Sequence, residues 1–189
     1  QKPVKYLILT PYPAVRVLGA SAFDAEHIIT SEITRKLIEE RGQQDWDSEY
    51  GRMPRLFKEP EGIPGLTWPT QTFDTQFEID LGGNRGKLDL RFEGRGHTAG
   101  DIIVWHDKSK TMFAGDLVEA EAALYTGDAF HMEWASKTLD NLKKYRAEFI
   151  VGGRGAVAKG TAATDAAIEQ TREFLRGMID NVGAVHKRG

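Results

Sequence analysis

The sequence contains no cysteine among its 189 residues, and this absence removes several classes of site at once. Disulfide bonds, thiolate nucleophiles and zinc sites built on sulfur are all excluded. The absence does not indicate a redox compartment, because reducing and oxidising compartments both tolerate proteins without cysteine.

Long apolar runs and blocks of like charge are missing as well. No run approaches the roughly 20 apolar residues that a membrane helix needs, so we expect a soluble chain of unknown compartment with no membrane partner. The 25 basic and 28 acidic residues give a formal net charge of −3. Lys and Arg are spread along the chain, which argues against a nucleic-acid partner.

The length and composition are those of an ordinary globular protein, with 40% hydrophobic and 28% charged residues. We find no internal repeat and no low-complexity segment, and we predict one domain over residues 1–189. Short apolar or alternating segments between turn-forming residues predict strands. These strands are Tyr6–Thr10, His27–Thr30, Phe73–Leu81, Lys87–Glu93, Ile102–Trp105, Thr111–Ala114 and Phe149–Val151.

Helical spacing of apolar residues predicts four helices. The first runs from an N-cap at Ser31 to Gly42, and Gln44–Arg52, Trp134–Arg146 and Thr161–Val182 follow. Residues 54–70 are rich in proline and glycine and predict a long irregular loop, a kind of loop that is usually functional. Strands in pairs followed by helix, strand and helix predict a layered α/β fold.

Three segments place a polar side chain in a glycine-rich loop at the end or start of a strand. They read GHTAGD at residues 96–101, FAGD at 113–116 and VGGRG at 151–155, and they present His97, Asp116 and Arg154. Histidine and aspartate are common metal ligands and general bases. Each residue also has an ordinary interpretation, as a structural histidine, a turn aspartate or a surface arginine.

In order and spacing, these segments resemble the second half of the metallo-β-lactamase superfamily. GHTAGD matches the family's GHTxGD, Asp116 matches its GD at a strand end, and Arg154 stands where GHG has its histidine. The resemblance covers most of the chain from about Tyr6 onward. It implies a four-layer αββα sandwich in which metal-bound water attacks an ester, thioester, amide, sulfate or phosphate ester.

The family's main metal motif, HxHxDH, is degenerate here. It follows a strand that ends in Thr, and the corresponding residues are Pro11, Pro13, Val15 and Arg16. Proline and valine have no ligating side-chain atom, and arginine does not deprotonate to bind metal. By resemblance, only His97 and Asp116 remain of the ligand set. A catalytic zinc site normally has three protein ligands, so we expect no cofactor.

The resemblance leaves three functions open. In the first, the chain binds a small anionic ligand through Arg16, Arg154 and His97. The two arginines then replace the charge of the metal and pair with Asp116. Alternatively, it is an active metal-dependent hydrolase that uses His97 and Asp116 in a rebuilt zinc site. Further ligands for such a site would come from Glu119, Glu121, Asp128 and His131. The third possibility is a non-catalytic structural subunit.

The resemblance also begins late, where the family's first third has already passed. Without those strands one sheet would expose an apolar face. We therefore expect residues before Gln1, supplied as a cleaved fragment of the same protein or by a homo-oligomer partner, to complete the folded unit.

Overall fold

The computed structural model describes residues 2–57 and 65–186 and has a mixed α/β architecture. The chain divides into two compact units, Gln1–Asp74 and Thr75–Gly189. Residues 58–64, the centre of the predicted irregular loop, lie outside the described residues. No helix in the described ranges is long and apolar enough to cross a membrane.

The first unit is built on a parallel three-stranded sheet in the order β1-β2-β3. Its elements are β1 (Tyr6–Ile8), α1 (Ala14–Val17), a 3-10 segment (Leu18–Phe23), β2 (His27–Ser31), α2 (Glu32–Arg52), a 3-10 turn (Pro54–Leu56) and β3 (Gln71–Phe73). Its core combines side chains from the loop after β1, α1, the 3-10 segment after it, β2 and α2, namely Leu9, Tyr12, Val17, Ala20, Ile28 and Ile38.

Helix α2 corrects the prediction of two helices separated at Gly42. The N-cap is as predicted, since Ser31 Oγ accepts a hydrogen bond of 3.0 Å from the Thr34 N–H. The helix then runs without a break to Arg52. Gly42 therefore does not end the helix. A Cβ at this position would lie 3.0 Å from the side chain of Leu66, so the glycine leaves room for Leu66 to pack against the helix.

The second unit carries a six-stranded sheet in the order β4-β5-β6-β7-β8-β9. The strands are β4 (Gln76–Asp80), β5 (Lys87–Arg91), β6 (Ile103–His106), β7 (Thr111–Gly115), β8 (Phe149–Gly152) and β9 (Ala158–Lys159). All neighbours are antiparallel except β7 and β8, which are parallel. The predicted strand Phe73–Leu81 is wrong as one element, because a bend at Asp74 and Thr75 separates β3 from β4.

Helical residues cover one face of this sheet. They form α3 (His131–Glu133), a π-helical turn (Trp134–Thr138), α4 (Leu139–Lys143) and α5 (Thr161–His186). The core between sheet and helices includes Ile103, Trp105, Met112, Ala114, Leu117, Trp134, Leu139, Leu142, Ile150, Ile168 and Leu175. The sequence analysis did not predict the π-helical turn. The buried Arg172 of α5 donates a hydrogen bond of 2.5 Å to the Ala135 carbonyl in this turn and so links the two helical segments.

Candidate functional site

The side chain of His97 lies on a loop that leads from β5 to β6 and is held in place by the helices. The Trp134 Nε1–H donates to the Leu117 carbonyl at 3.0 Å, and the Phe130 N–H donates to the Gly96 carbonyl at 2.9 Å. A Cβ on Gly96 would collide with the side chain of Leu117. The loop can therefore lie this close to residues 117–134 only because position 96 is glycine.

Two carboxylates face the imidazole inside the protein. His97 Nδ1 lies 3.6 Å from Asp101 Oδ1 and 3.8 Å from Asp116 Oδ2, and all three side chains are at most 4% exposed. Both distances are long for a hydrogen bond. His97 Nδ1 and Asp101 Oδ1 make none with the described part of the chain. The other oxygen of Asp101 accepts a hydrogen bond from the Thr98 N–H.

Strand pairing explains why Asp116 and Arg154 are neighbours. Strands β7 and β8 are parallel, so the residues that follow them emerge at the same edge of the sheet. The Gly153 N–H donates to the Gly115 carbonyl at 2.7 Å. A Cβ on Gly153 would overlap Asp116 Oδ1, so the carboxylate lies directly against the backbone of the VGGRG loop.

The ion pair of Arg154 is made with Glu119. Its Nη1 lies 2.6 Å from Oε1 and 2.8 Å from Oε2 of Glu119, whose side chain is 1% exposed. The Glu119 carboxyl group also hydrogen-bonds Asp116. The sequence analysis expected Arg154 to pair directly with Asp116 and considered Glu119 only as a metal ligand. In the structure, Glu119 interacts with both Arg154 and Asp116.

Helix α5 holds Glu119 at this position. The Glu119 N–H donates to Thr171 Oγ1 at 3.2 Å, and the Thr171 hydroxyl lies 3.2 Å from the Glu119 carbonyl. Thr171 is itself fully buried. The carboxylate that receives Arg154 is therefore fixed by a helix distant in sequence, which no motif around Asp116 reveals.

The electrostatics of the cluster follow from its burial. Burial lowers the pKa of His97, but Asp101, Asp116 and Glu119 outweigh it and raise that pKa above the ordinary value of 6.5. Burial also raises the pKa of Glu119, and Asp116 adds to the rise while Arg154 opposes it. The cluster thus favours the protonated forms of His97 and of Glu119.

The remaining predicted site residues are placed as follows. Arg16 is half-buried on α1 in the Gln1–Asp74 unit, between the exposed Val15 and the buried Val17. Glu121 is exposed with a φ of 57°, and His131 begins α3. No group of three or more His, Asp or Glu side chains in the described ranges is arranged to hold a metal ion.

The comparisons with known proteins agree on one family. The sequence profile of the metallo-beta-lactamase superfamily matches residues 18–154. A metallo-beta-lactamase type 2 from Bacillus sp. (strain 170) is 27% identical over 163 residues, which cover 83% of this chain and 54% of the relative. Another, from Elizabethkingia meningoseptica, is 24% identical over 86 residues, covering 43% of this chain and 34% of the relative. The chain therefore spans about half the length, or less, of these curated relatives.

Solved structures show the same fold at low sequence identity. A metallo-beta-lactamase from Pontibacter korlensis superposes with a TM-score of 0.67 at 23% identity, over 93% of this chain and 70% of its own. The metallo-beta-lactamase IND-7 gives 0.65 at 22% identity, over 92% and 69%. The mixed α/β fold and the resemblance described from the sequence are confirmed.

The contact between Gly153 and Asp116 gives a first prediction. Gly153→Ala forces the new Cβ against the carboxylate, and we expect a loss of about 1–3 kcal/mol in the free energy of unfolding, as for other overpacked sites. Gly177→Ala, on α5 with open space around it, is the matched control and should be neutral or slightly stabilising. Urea unfolding measures both. Equal stability of the two variants would show that Asp116 does not lie against the loop.

The raised pKa of His97 gives a second prediction. A group whose folded pKa exceeds its unfolded value contributes stability that is complete below the unfolded value, here 6.5, and is lost as pH rises through the folded value. The urea midpoint of the parent should therefore fall, relative to His97→Gln, as pH is raised from about 6.5. His186→Gln at the end of α5 should keep the parent's profile. A constant difference between parent and His97→Gln at all pH values would contradict the assignment.

Proposed function

Since this chain belongs to the metallo-β-lactamase superfamily, we propose that it is a zinc-independent, hydrolase-like member that binds a small anionic ligand at Arg154. The observation that carries the proposal is the ion pair between Arg154 and the buried Glu119. It places a permanent cation where the family pattern has a metal-binding histidine. The same cation engages a carboxylate that a rebuilt metal site would have used.

Charge balance supports ligand binding without a metal. The raised pKa of His97 favours its cationic form beside Asp101, and the permanent charge of Arg154 offsets that of Glu119. These two side chains offset part of the negative charge of the cluster without an added metal ion. A dication would have to displace the arginine or be repelled by it.

The guanidinium of Arg154 also has hydrogen-bond donors that Glu119 does not use. Nη1 makes both hydrogen bonds to Glu119, while Nε and Nη2 make none with the described residues. The side chain is 39% exposed, in contrast to 1% for Glu119. Glu119 thus fixes one edge of a planar group whose remaining donors suit a carboxylate or phosphate. The role of Arg16, from the degenerate HxHxDH motif, stays a prediction.

The competing function is a metal-dependent hydrolase with a site rebuilt at His97 and Asp116. It is favoured by the unpartnered His97 Nδ1 and Asp101 Oδ1, which are buried polar atoms in need of a ligand or water. A protonated His97 ring would be attracted by the carboxylates of Asp101 and Asp116 at 3.6 and 3.8 Å without a metal ion, although neither distance is that of a hydrogen bond. The companion fragment or second subunit stays a prediction, as does the substrate.

Two measurements on the purified chain separate these functions. Elemental analysis after dialysis without chelator should find no stoichiometric zinc. Calorimetric titration with acetate and with inorganic phosphate should show binding of at least one anion, weakened about 10-fold or more in Arg154→Met by loss of a charge-assisted hydrogen bond. Arg176→Met, exposed on α5, is the control and should bind like the parent. Bound zinc, or unchanged anion binding by Arg154→Met, would refute the proposal.

A further inference from the structure

A serine, a histidine and a backbone carbonyl meet at the turn between β6 and β7. Ser109 Oγ lies 2.6 Å from His106 Nδ1, and the other ring nitrogen, Nε2, lies 2.7 Å from the Arg85 carbonyl oxygen. The turn is the 3-10 segment Asp107–Ser109. It precedes β7, whereas Asp116 follows that strand, so this group lies at the opposite end of β7 from the His97 cluster.

The carbonyl decides which nitrogen of the neutral imidazole carries the proton. A carbonyl oxygen only accepts hydrogen bonds, so Nε2 must be the N–H that donates to Arg85. Nδ1 then presents its lone pair, and the Ser109 hydroxyl donates to it. Thr111 Oγ1, 2.8 Å from Ser109 Oγ, is the alternative acceptor for the same hydroxyl proton.

The fold holds the base while leaving the hydroxyl open. His106 is half-buried and pairs with Leu88 of β5, and Ser109 is exposed. The Arg85 carbonyl is presented by a turn that ends at Gly86, whose φ is +86°. A Cβ on Gly86 would lie 3.3 Å from His106 Nε2, so glycine there leaves room for the ring as well as for the turn.

A hydroxyl that donates to an imidazole oriented by a third group is the arrangement of an activated nucleophile. From this geometry we propose that Ser109 is a nucleophilic serine, with His106 as its base, and a site of covalent modification by activated acyl groups such as esters and thioesters. The proposal is independent of zinc and of the anion site.

The acylation step balances without any further reactant. Ser109 Oγ forms a bond to the acyl carbon, and the bond from that carbon to the leaving oxygen or sulfur breaks. The hydroxyl proton passes to His106 Nδ1 and from there to the leaving group. During the step the imidazolium keeps its Nε2–H donated to Arg85, which holds the ring in place.

The test is acylation of the whole chain by p-nitrophenyl acetate in the presence of chelator, followed by peptide mass spectrometry. Ser109 should acquire an acetyl ester faster than Ser136, an exposed serine whose Oγ bonds the Met132 carbonyl at 2.6 Å and has no imidazole partner. Ser109→Ala should remove this ester, and Ser136→Ala should leave it unchanged.

His106→Asn distinguishes a base from a structural partner. The asparagine amide lies near the position of Nδ1 and can keep a hydrogen bond to Ser109, but it cannot take the proton. We expect the acetylation rate of Ser109 to fall about 100-fold or more, the usual contribution of a general base, with the circular-dichroism spectrum unchanged. Equal labelling of Ser109 and Ser136, or a His106→Asn variant acetylated as fast as the parent, would overturn the proposal.

Discussion

Three carboxyl groups are withdrawn from water near the carboxyl end of β7, and their charge has to be balanced inside the chain. Asp101, Asp116 and Glu119 are each at most 3% exposed at their side chains. In a zinc enzyme a dication carries out that balance. Here Arg154 pairs with Glu119, and the imidazole of His97 lies beside Asp101 and Asp116; the placement of both side chains depends on the surrounding loops.

Glycine residues allow the loops that carry His97 and Arg154 to lie close to the buried carboxyl groups. Gly96 allows the His97 loop to lie against Leu117, and Gly153 allows the VGGRG loop to lie against Asp116. Between them, the parallel pairing of β7 and β8 brings Asp116 and Arg154 to one edge of the sheet. The cluster is therefore a product of the fold's backbone geometry rather than of a single sequence motif.

Local pattern predicted most of the elements, and failed where a distant contact overrode it. Gly42 has the sequence signature of a helix end, but Leu66 occupies the space that its missing side chain leaves. The predicted strand Phe73–Leu81 is continuous in sequence, yet its first residue, Phe73, pairs with β2 in one sheet while Gln76–Asp80 pairs with β5 in the other. Neither contact is visible in a window of neighbouring residues.

The candidate site was predicted in part for the same reason. His97, Asp116 and Arg154 stand in recognisable loops, and the motif spacing identified them. Glu119 has no such signal, because its role depends on the buried Thr171 of α5 and on the direction of the Arg154 side chain. Asp101 belonged to the recognised segment, but its distance to His97 could come only from the folded loop.

The central claim is that Arg154 and Glu119 form an energetically coupled pair that balances this cluster, and a double-mutant cycle tests it most directly. Glu119→Gln, Arg154→Met and the double variant would be compared by urea unfolding at neutral pH with chelator present. The exposed pair Lys87 and Glu78, 2.6 Å apart, provides the control cycle. The account predicts a coupling of about 1–2 kcal/mol for Arg154 and Glu119, a range that allows for solvent screening at the 39% exposed arginine, and a clearly smaller coupling for the control. A coupling no larger than that of the surface pair would contradict it.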